Sequence, residues 1–268
     1  MPSIRSEKEH RMPRTGDGPY VQSLDRGLAV LRCFGEDRTR LSISDVAREV
    51  GVDRAVARRL LHTLAELGYI GVDGSNFFVR PRVLELAQAY LGAVEFPDVI
   101  QPHLAQLTSE IHETAMAFVL DGDEIVYIAG VQARRLVSVN VRAGLRIPAY
   151  QSPLGHVLLA AQPADAREAY LERVALTPVT RYTITEKPAL RDRLAKVADQ
   201  GYALGDEELE MGLRTIAVPV HDRNGTILAA ISIGVLAAAY SARTLVKDLL
   251  PRLRQTAGQI ESDLAVLN

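Results

Sequence analysis

Arg54, Arg58 and Arg59 stand at the start of a stretch, 54–67, whose apolar residues Ala57, Leu61 and Leu64 recur at the spacing of one helical face. Turned away from that face, Arg54 and Arg58 lie one helical turn apart beside Ala55 and His62. Planar guanidinium forks so placed suit the O6 and N7 atoms of guanine, and Arg59, at the border of the face, suits a phosphate. A solvated helix face is the plain alternative, and the neighbouring elements decide between the two. A second candidate lies at Ser152-Pro153, which precede an apolar helical run beginning at Leu154. The first turn of a helix offers unpaired N–H groups and a positive dipole end to a small anion. Just upstream, alternation over 136–142 puts Val137, Val139 and Val141 on one strand face and Ser138, Asn140 and Arg142 on the other. A solvated strand face and an ordinary helix start compete with this reading.

Other chemistry finds little support. There is no Gly-x-Ser-x-Gly elbow, no Gly-rich phosphate loop and no metal-spaced histidine pair, the histidines being scattered at 10, 62, 103, 112, 156 and 221. His156 is the one base near the candidate anion site, and it reads as a hydrogen-bonding or packing residue. Cys33 is the single cysteine, so no intramolecular disulfide or cysteine-based zinc site can form; it sits among apolar residues as a small core side chain, consistent with the cytoplasm. Neither an enzyme, a metal nor a cofactor is expected.

The 268 residues are 47% hydrophobic and 24% charged, the balance of a core-forming protein of one or two domains. The apolar run at 226–239 is broken by Ser232 and Gly234 and falls short of the ~20 residues a spanning helix needs. Residues 1–19 are polar, lack an apolar signal core, and offset Arg5, Lys8, Arg11 and Arg14 with Glu7, Glu9 and Asp17; a disordered tail is expected. Net charge is −2, but residues 1–82 carry 14 Lys and Arg against 11 Asp and Glu, and the remainder carries 17 against 22. Two domains with different partners fit that asymmetry. Lysine occurs only at 8, 187, 196 and 247, so the basic side chains are overwhelmingly arginine.

The elements around the arginines are those of a helix-turn-helix. Residues 21–34 predict a first helix with Leu24, Leu28, Leu31 and Phe34 on its face and Ser23 as cap. Ser42-Ile43-Ser44-Asp45 fits a capping box opening a helix over 43–50; Gly51 supplies the left-handed turn that ends it, and Asp53 caps the arginine-bearing helix. Two β-prone runs, 69–72 and 77–79, flank Asp73-Gly74-Ser75-Asn76, the chemistry of a hairpin wing. Pro81 starts a helical connector through Ala93, and Phe96-Pro97 marks a boundary. Beyond it come a helix over 98–113, strands over 115–120, 124–130 and 136–141, helices over 154–161, 164–174 and 189–200, strands over 215–220 and 227–234, and a last helix over 241–267. Strands and helices in separate runs read as α+β with an antiparallel sheet.

The stretches VQSLDRGLAVLRCF, LSISDVAREVGVDRAVARRLLHTLAELGYI and RPRVLELAQAYL resemble the DNA-binding domain of the IclR family of bacterial transcriptional regulators. GLRIPAYQSPLGHVLLA and GYALGDEELEMGLRTIAVPVHDRNGTILAAISI resemble that family's effector domain, and SVNVRAGLRIPAY with ELEMGLRTIAVPV resembles its branch controlling aromatic-acid breakdown through the β-ketoadipate pathway. The resemblance implies a winged helix-turn-helix over 20–80, a linker helix over 81–96 and a GAF-like effector-binding domain over 97–268. It implies DNA contacts from Ser42, Ser44, Arg54, Ala55, Arg58, Arg59 and His62. By the same resemblance, the effector-lining segment before the buried helix is Ser152, Pro153, Leu154 and Gly155, and the acidic loop and strand supply Asp206, Glu207, Glu210, Met211, Leu213 and Thr215. Pro153-Leu154 removes one donor and adds an apolar wall, which suits an aromatic or longer acid better than a very small oxoacid. In the pocket so implied, Arg142 or Arg146 can hold its carboxylate bidentately, and Asn140 or Glu210 can take a hydroxyl. Glu207 and Glu208 beside an anion must point away or bind donors. The expected partners are double-stranded operator DNA, a small organic acid and further copies of the chain, as homodimer or homotetramer. A regulator answering to a non-aromatic acid, a small-molecule enzyme and an effector-free architectural DNA-binding protein are the alternatives.

Overall fold

A computed structural model describes residues 20–35, 38–86, 96–133 and 144–267. They fall into two compact units, divided between Ala93 and Val94. In the first, α1 (Gln22–Arg32), α2 (Ile43–Val50) and α3 (Arg54–Glu66) pack over a three-stranded antiparallel sheet of order β1-β3-β2, from Leu41–Ser42, Ile70–Asp73 and Asn76–Val79. The capping box forms as the sequence predicts: the Ser42 hydroxyl accepts from the Asp45 N–H, and the Asp45 carboxylate accepts from the Ser42 N–H. Gly51 ends α2 with φ 71°, and the Asp53 carboxylate caps α3 by accepting from the Val56 N–H at 2.9 Å. Val30, Val46, Ala57, Leu61, Ile70 and Phe77 close the core.

Helix α1 departs from expectation. Val21, which has no side-chain acceptor, is its N-cap, so Ser23 lies inside the helix. The buried residues are Val30 and Cys33; Leu31 and Phe34 lean on the core, and Leu24 and Leu28 are exposed. Burial pushes the Cys33 thiol up to about 11, the behaviour of a packed side chain. Of the expected linker helix, the structure describes a 3₁₀ turn at Pro81–Val83 and helical residues 84–86; the rest, 87–95, lies outside the described residues.

The second unit is built on a six-stranded antiparallel sheet of order β6-β5-β4-β9-β8-β7. Its strands are β4 (Thr114–Asp121), β5 (Glu124–Val131), β6 (Arg146–Pro148), β7 (Ala203–Asp206), β8 (Leu213–His221) and β9 (Ile227–Leu236). Phe96-Pro97, expected to mark a boundary, opens α4 (Phe96–Ile111), Pro being tolerated in a first turn. Strands β1, β6 and β7 carry two to four residues each, too few for an alternation to register in sequence. The strand expected over 136–141 lies outside the described residues.

Alternation divides the sheet. On one face Ile216, Val218, Val220, Ile231 and Ile233 pack with α4 and the C-terminal helix, which runs from Ala242–Thr244 (α8) through a π-turn at Leu245–Leu249 into α9 (Leu250–Leu267). On the other, Phe118, Ala203, Ala217 and Ala230 pack under α5 (Pro153–Ala160), α6 (Ala164–Arg173) and α7 (Lys187–Gln200). Every residue of α5 is buried, His156 included, as a helix with no polar face must be.

Candidate functional site

Helix α3 is the candidate nucleic-acid face. Ala57 and Leu61 are fully buried, which turns Arg54, Ala55, Arg58, Arg59 and His62 outward, and all five are exposed. In this unit Arg38, Arg40, Arg48 and Arg82 each pair with a carboxylate, from Glu49, Asp73, Asp45 and Glu85. Arg54, Arg58 and Arg59 form no ion pair with any described residue, and the first turn of α3 holds no acidic side chain. Their forks are therefore available to an external anion or base edge, and the helix dipole adds positive potential at the same end. His62 meets Phe77 of β3 edge-on at 5.9 Å between centroids, which braces it against the hairpin. Ser42 donates its hydroxyl to Asp45 at 2.7 Å and is committed to the cap, whereas Ser44 is exposed.

In the second unit, strand register brings distant residues onto one sheet face. Thr114, Gly234, Thr215 and Gly205 form one row across β4, β9, β8 and β7, and Met116, Ser232, Ala217 and Ala203 form the next. Helix α5 begins over this face: a Cβ on Gly205 would meet Pro153 Cγ at 2.5 Å. Pro153 at the start of α5 thereby comes against Gly205, whose partner in the row is Thr215, and Leu213 and Thr215 both lie beside Gly234. The Ser152 hydroxyl caps α5 through the Leu154 N–H at 3.3 Å. Gly155 answers a different need: a Cβ there would stand 1.9 Å from the Ala149 carbonyl oxygen. Gly155→Ala is accordingly expected to cost about 1–3 kcal/mol by overpacking, read as a lower urea midpoint at unchanged slope.

His156 is fully buried, and its Nε2 lies 2.7 Å from the Tyr150 carbonyl oxygen. A carbonyl only accepts, so Nε2 carries the proton. Burial first, and then the Arg193 charge, hold its pKa down at about 4; it is neutral at pH 7 and ties α5 to the preceding turn.

The acidic loop after β7 is held from several sides. Asp206 pairs with Arg214 at 2.6 Å. Glu207 adopts φ 58° and accepts from the Gly212 N–H at 2.7 Å. Glu208 is buried against Arg193 at 2.9 Å, its carboxyl pushed up by burial more than the guanidinium lowers it. Both glutamates thus bind donors, one of the two arrangements the sequence left open. Glu210 and Met211 are exposed on the turn. Arg146, on the edge strand β6, spends its fork on Glu124 at 2.6 Å and Asp121 at 2.7 Å, so the expected pairing with an effector carboxylate does not fall to it. Asn140 and Arg142 lie outside the described residues.

Sequence reasoning missed three side chains on the α5 side of the sheet: Met116, Tyr127 and Ser232. Tyr127 packs edge-on against Phe118 at 5.5 Å, and burial raises its phenol pKa. The alternation of β9, with Ile231 and Ile233 on the opposite face, was the available signal for Ser232.

Comparison with known proteins bears on both units. Residues 23–74 match the profile described as the IclR helix-turn-helix domain, and residues 88–262 match the one described as bacterial transcriptional regulator IclR C-terminal. The chain is 37% identical over 253 residues to the Pca regulon regulatory protein of Pseudomonas putida, covering 94% of this chain and 87% of that one. A putative transcriptional regulator from Rhodococcus sp. RHA1 superposes with a TM-score of 0.82 at 45% identity, covering 93% of this chain and all of that one. An IclR homolog from Microbacterium hydrocarbonoxydans, crystallised with 4-hydroxybenzoate, superposes with a TM-score of 0.80 at 28% identity, covering 91% of this chain and 99% of that one.

Proposed function

The chain belongs to the IclR family of bacterial transcriptional regulators, and on that premise we propose that it is a cytoplasmic, effector-responsive regulator of an aromatic-acid catabolic operon of the β-ketoadipate type. It is a regulator and not an enzyme. The observation that carries the DNA-binding half is the α3 face, where three exposed arginines without carboxylate partners among the described residues stand on one helix whose first turn holds no acidic side chain. Arg54 and Arg58 read base edges in the major groove, Ala55 and His62 complete that face, and Arg59 and Ser44 hold phosphates. Support for an aromatic effector comes from the Microbacterium neighbour and its 4-hydroxybenzoate. In this chain the effector contacts come from Ser152, Leu154, Leu213, Thr215, Tyr127 and Ser232, with Asn140 or Arg142 completing the polar set.

The protein works as a homodimer or homotetramer. One winged helix buries only ~600–1,000 Å² on DNA, and linking two or more raises affinity through effective concentration. An effector that binds one arrangement of the heads better than another shifts the population toward it and so changes operator affinity.

Thermal unfolding with and without 4-hydroxybenzoate, protocatechuate and β-ketoadipate tests the effector class. A cognate acid at ~100 times its Kd adds about 2.7 kcal/mol, a rise in Tm of roughly 5–10 °C for a chain this size. A selective rise with one compound supports the reading. A folded sample indifferent to all three removes the aromatic assignment and points to a non-aromatic acid, while leaving the DNA-binding assignment standing.

A further inference from the structure

Between α6 and α7, residues 174–186 form no helix or strand, yet part of this connection is tied by side-chain hydrogen bonds to both segments that border the proposed effector site. At its start, the Tyr150 hydroxyl donates to the Thr177 carbonyl at 2.9 Å and accepts from the Thr177 N–H at 2.8 Å and from Gln151 Nε2 at 2.9 Å. Tyr150 belongs to the turn that leads directly into Ser152 and α5. Farther on, the Thr180 hydroxyl donates to the Glu207 carbonyl at 2.7 Å and the Thr183 hydroxyl to the Glu208 carbonyl at 2.7 Å. Thr183 also accepts from the Val179 and Thr180 N–H groups at 3.1 and 2.9 Å, and Thr180 accepts from the Tyr182 N–H at 3.1 Å. Each hydroxyl therefore folds its own turn and grips the acidic loop at once.

What they grip is strained. Glu207 holds a left-handed φ of 58° without being glycine, a conformation that persists only where the surroundings over-determine it. We propose that residues 177–184 are a clasp fixing the two effector-facing segments, 150–155 and 206–213, relative to each other, with Thr180 and Thr183 as positioning residues on whose hydroxyls effector affinity depends. A side chain contributes to affinity only when it is already in place, and a loop that must be ordered on binding weakens the complex by that cost. The clasp also couples the segments reciprocally, so loosening either end loosens the other. The affinity claim rests on the effector site proposed above; the coupling claim does not.

Both claims are tested on the full-length protein by hydrogen exchange and by titration with 4-hydroxybenzoate. Thr183→Val is expected to raise exchange about tenfold in 207–213 and also in 150–155, to leave α4 and α9 protected, and to weaken 4-hydroxybenzoate binding about tenfold. Thr183→Ser, which keeps the hydroxyl, restores all three. Tyr150→Phe, cut at the other end, loosens 207–213. If Thr183→Val frays 207–213 alone, leaves 150–155 unchanged or is not rescued by serine, the clasp is overturned. Global exposure, with α4 and α9 also exchanging, marks an ordinary core role and overturns it equally. Should the wild type not bind 4-hydroxybenzoate, the aromatic reading fails, and the exchange pattern still decides whether the segments are coupled.

Discussion

Replacing Arg58 with alanine is expected to abolish specific operator binding while leaving effector binding intact. Arg58 lies one turn beyond Arg54, is exposed, and is not among the residues of the buried core. It forms no ion pair with the described residues, and no carboxylate partner is stranded by its removal. A bidentate arginine–guanine contact is worth about 1–3 kcal/mol, and two heads on one operator double the loss to about 2–6 kcal/mol. That is roughly a 30-fold to 10⁴-fold fall in operator affinity. Affinity for scrambled DNA, carried by phosphate contacts, changes far less. Arg58→Lys does not restore specificity, because an ammonium lacks the planar fork. Arg59→Ala provides the contrast: it weakens all duplexes evenly and makes the salt dependence shallower. Anisotropy titrations of each variant against operator and scrambled duplexes separate the two roles, and unchanged operator affinity in Arg58→Ala would falsify the recognition face.

That face was legible because its signals are local. A capping box, a left-handed glycine, an aspartate cap and a 3.6-residue apolar repeat each act within one or two turns, and Ser42, Gly51, Asp53 and Ala57 do what their types dictate. Helix α1 departs from its sequence pattern for a reason just as physical. Leu24 and Leu28 satisfy the same periodicity as a buried face, and only tertiary packing selects Val30 and Cys33 instead. The second unit shows the corresponding limit for sheets. Alternation and the turns at 121–123 and 222–225 revealed the long strands and the hairpins β4–β5 and β8–β9. They did not reveal that β4 would pair with β9 or β7 with β8, and the rows joining Thr114 to Gly205 exist only through that pairing. The family resemblance supplied the acidic loop and the start of α5 as separate segments. Neither it nor the residue pattern placed Arg193 beneath Glu208, fifteen positions away, or threaded Thr180 and Thr183 between them.

The Arg193–Glu208 pair gives the largest stability effect expected in the second unit. Glu208 is 8% exposed, and the Arg193 guanidinium binds both of its oxygens, at 2.9 and 3.3 Å. Arg193→Ala leaves that carboxylate buried and uncompensated, a loss of about 3–5 kcal/mol at neutral pH. Its pH dependence identifies the cause. Burial already holds the folded-state pKa of Glu208 above its ordinary 4.5, so the folded chain binds the proton more tightly than the unfolded one. The protonated carboxyl's contribution to stability is complete below pH 4.5 and is lost as pH rises through the folded pKa. Without the guanidinium, the folded pKa moves higher still and the falling limb extends toward neutrality. Urea unfolding of Arg193→Ala at pH 5 and pH 8 is therefore expected to show a variant closer to the wild type at the lower pH. Adding Glu208→Gln removes the charge and flattens that slope, recovering part of the neutral-pH loss. A deficit equal at both pH values assigns the effect to lost packing of the arginine stem against α7's neighbours rather than to the stranded carboxylate.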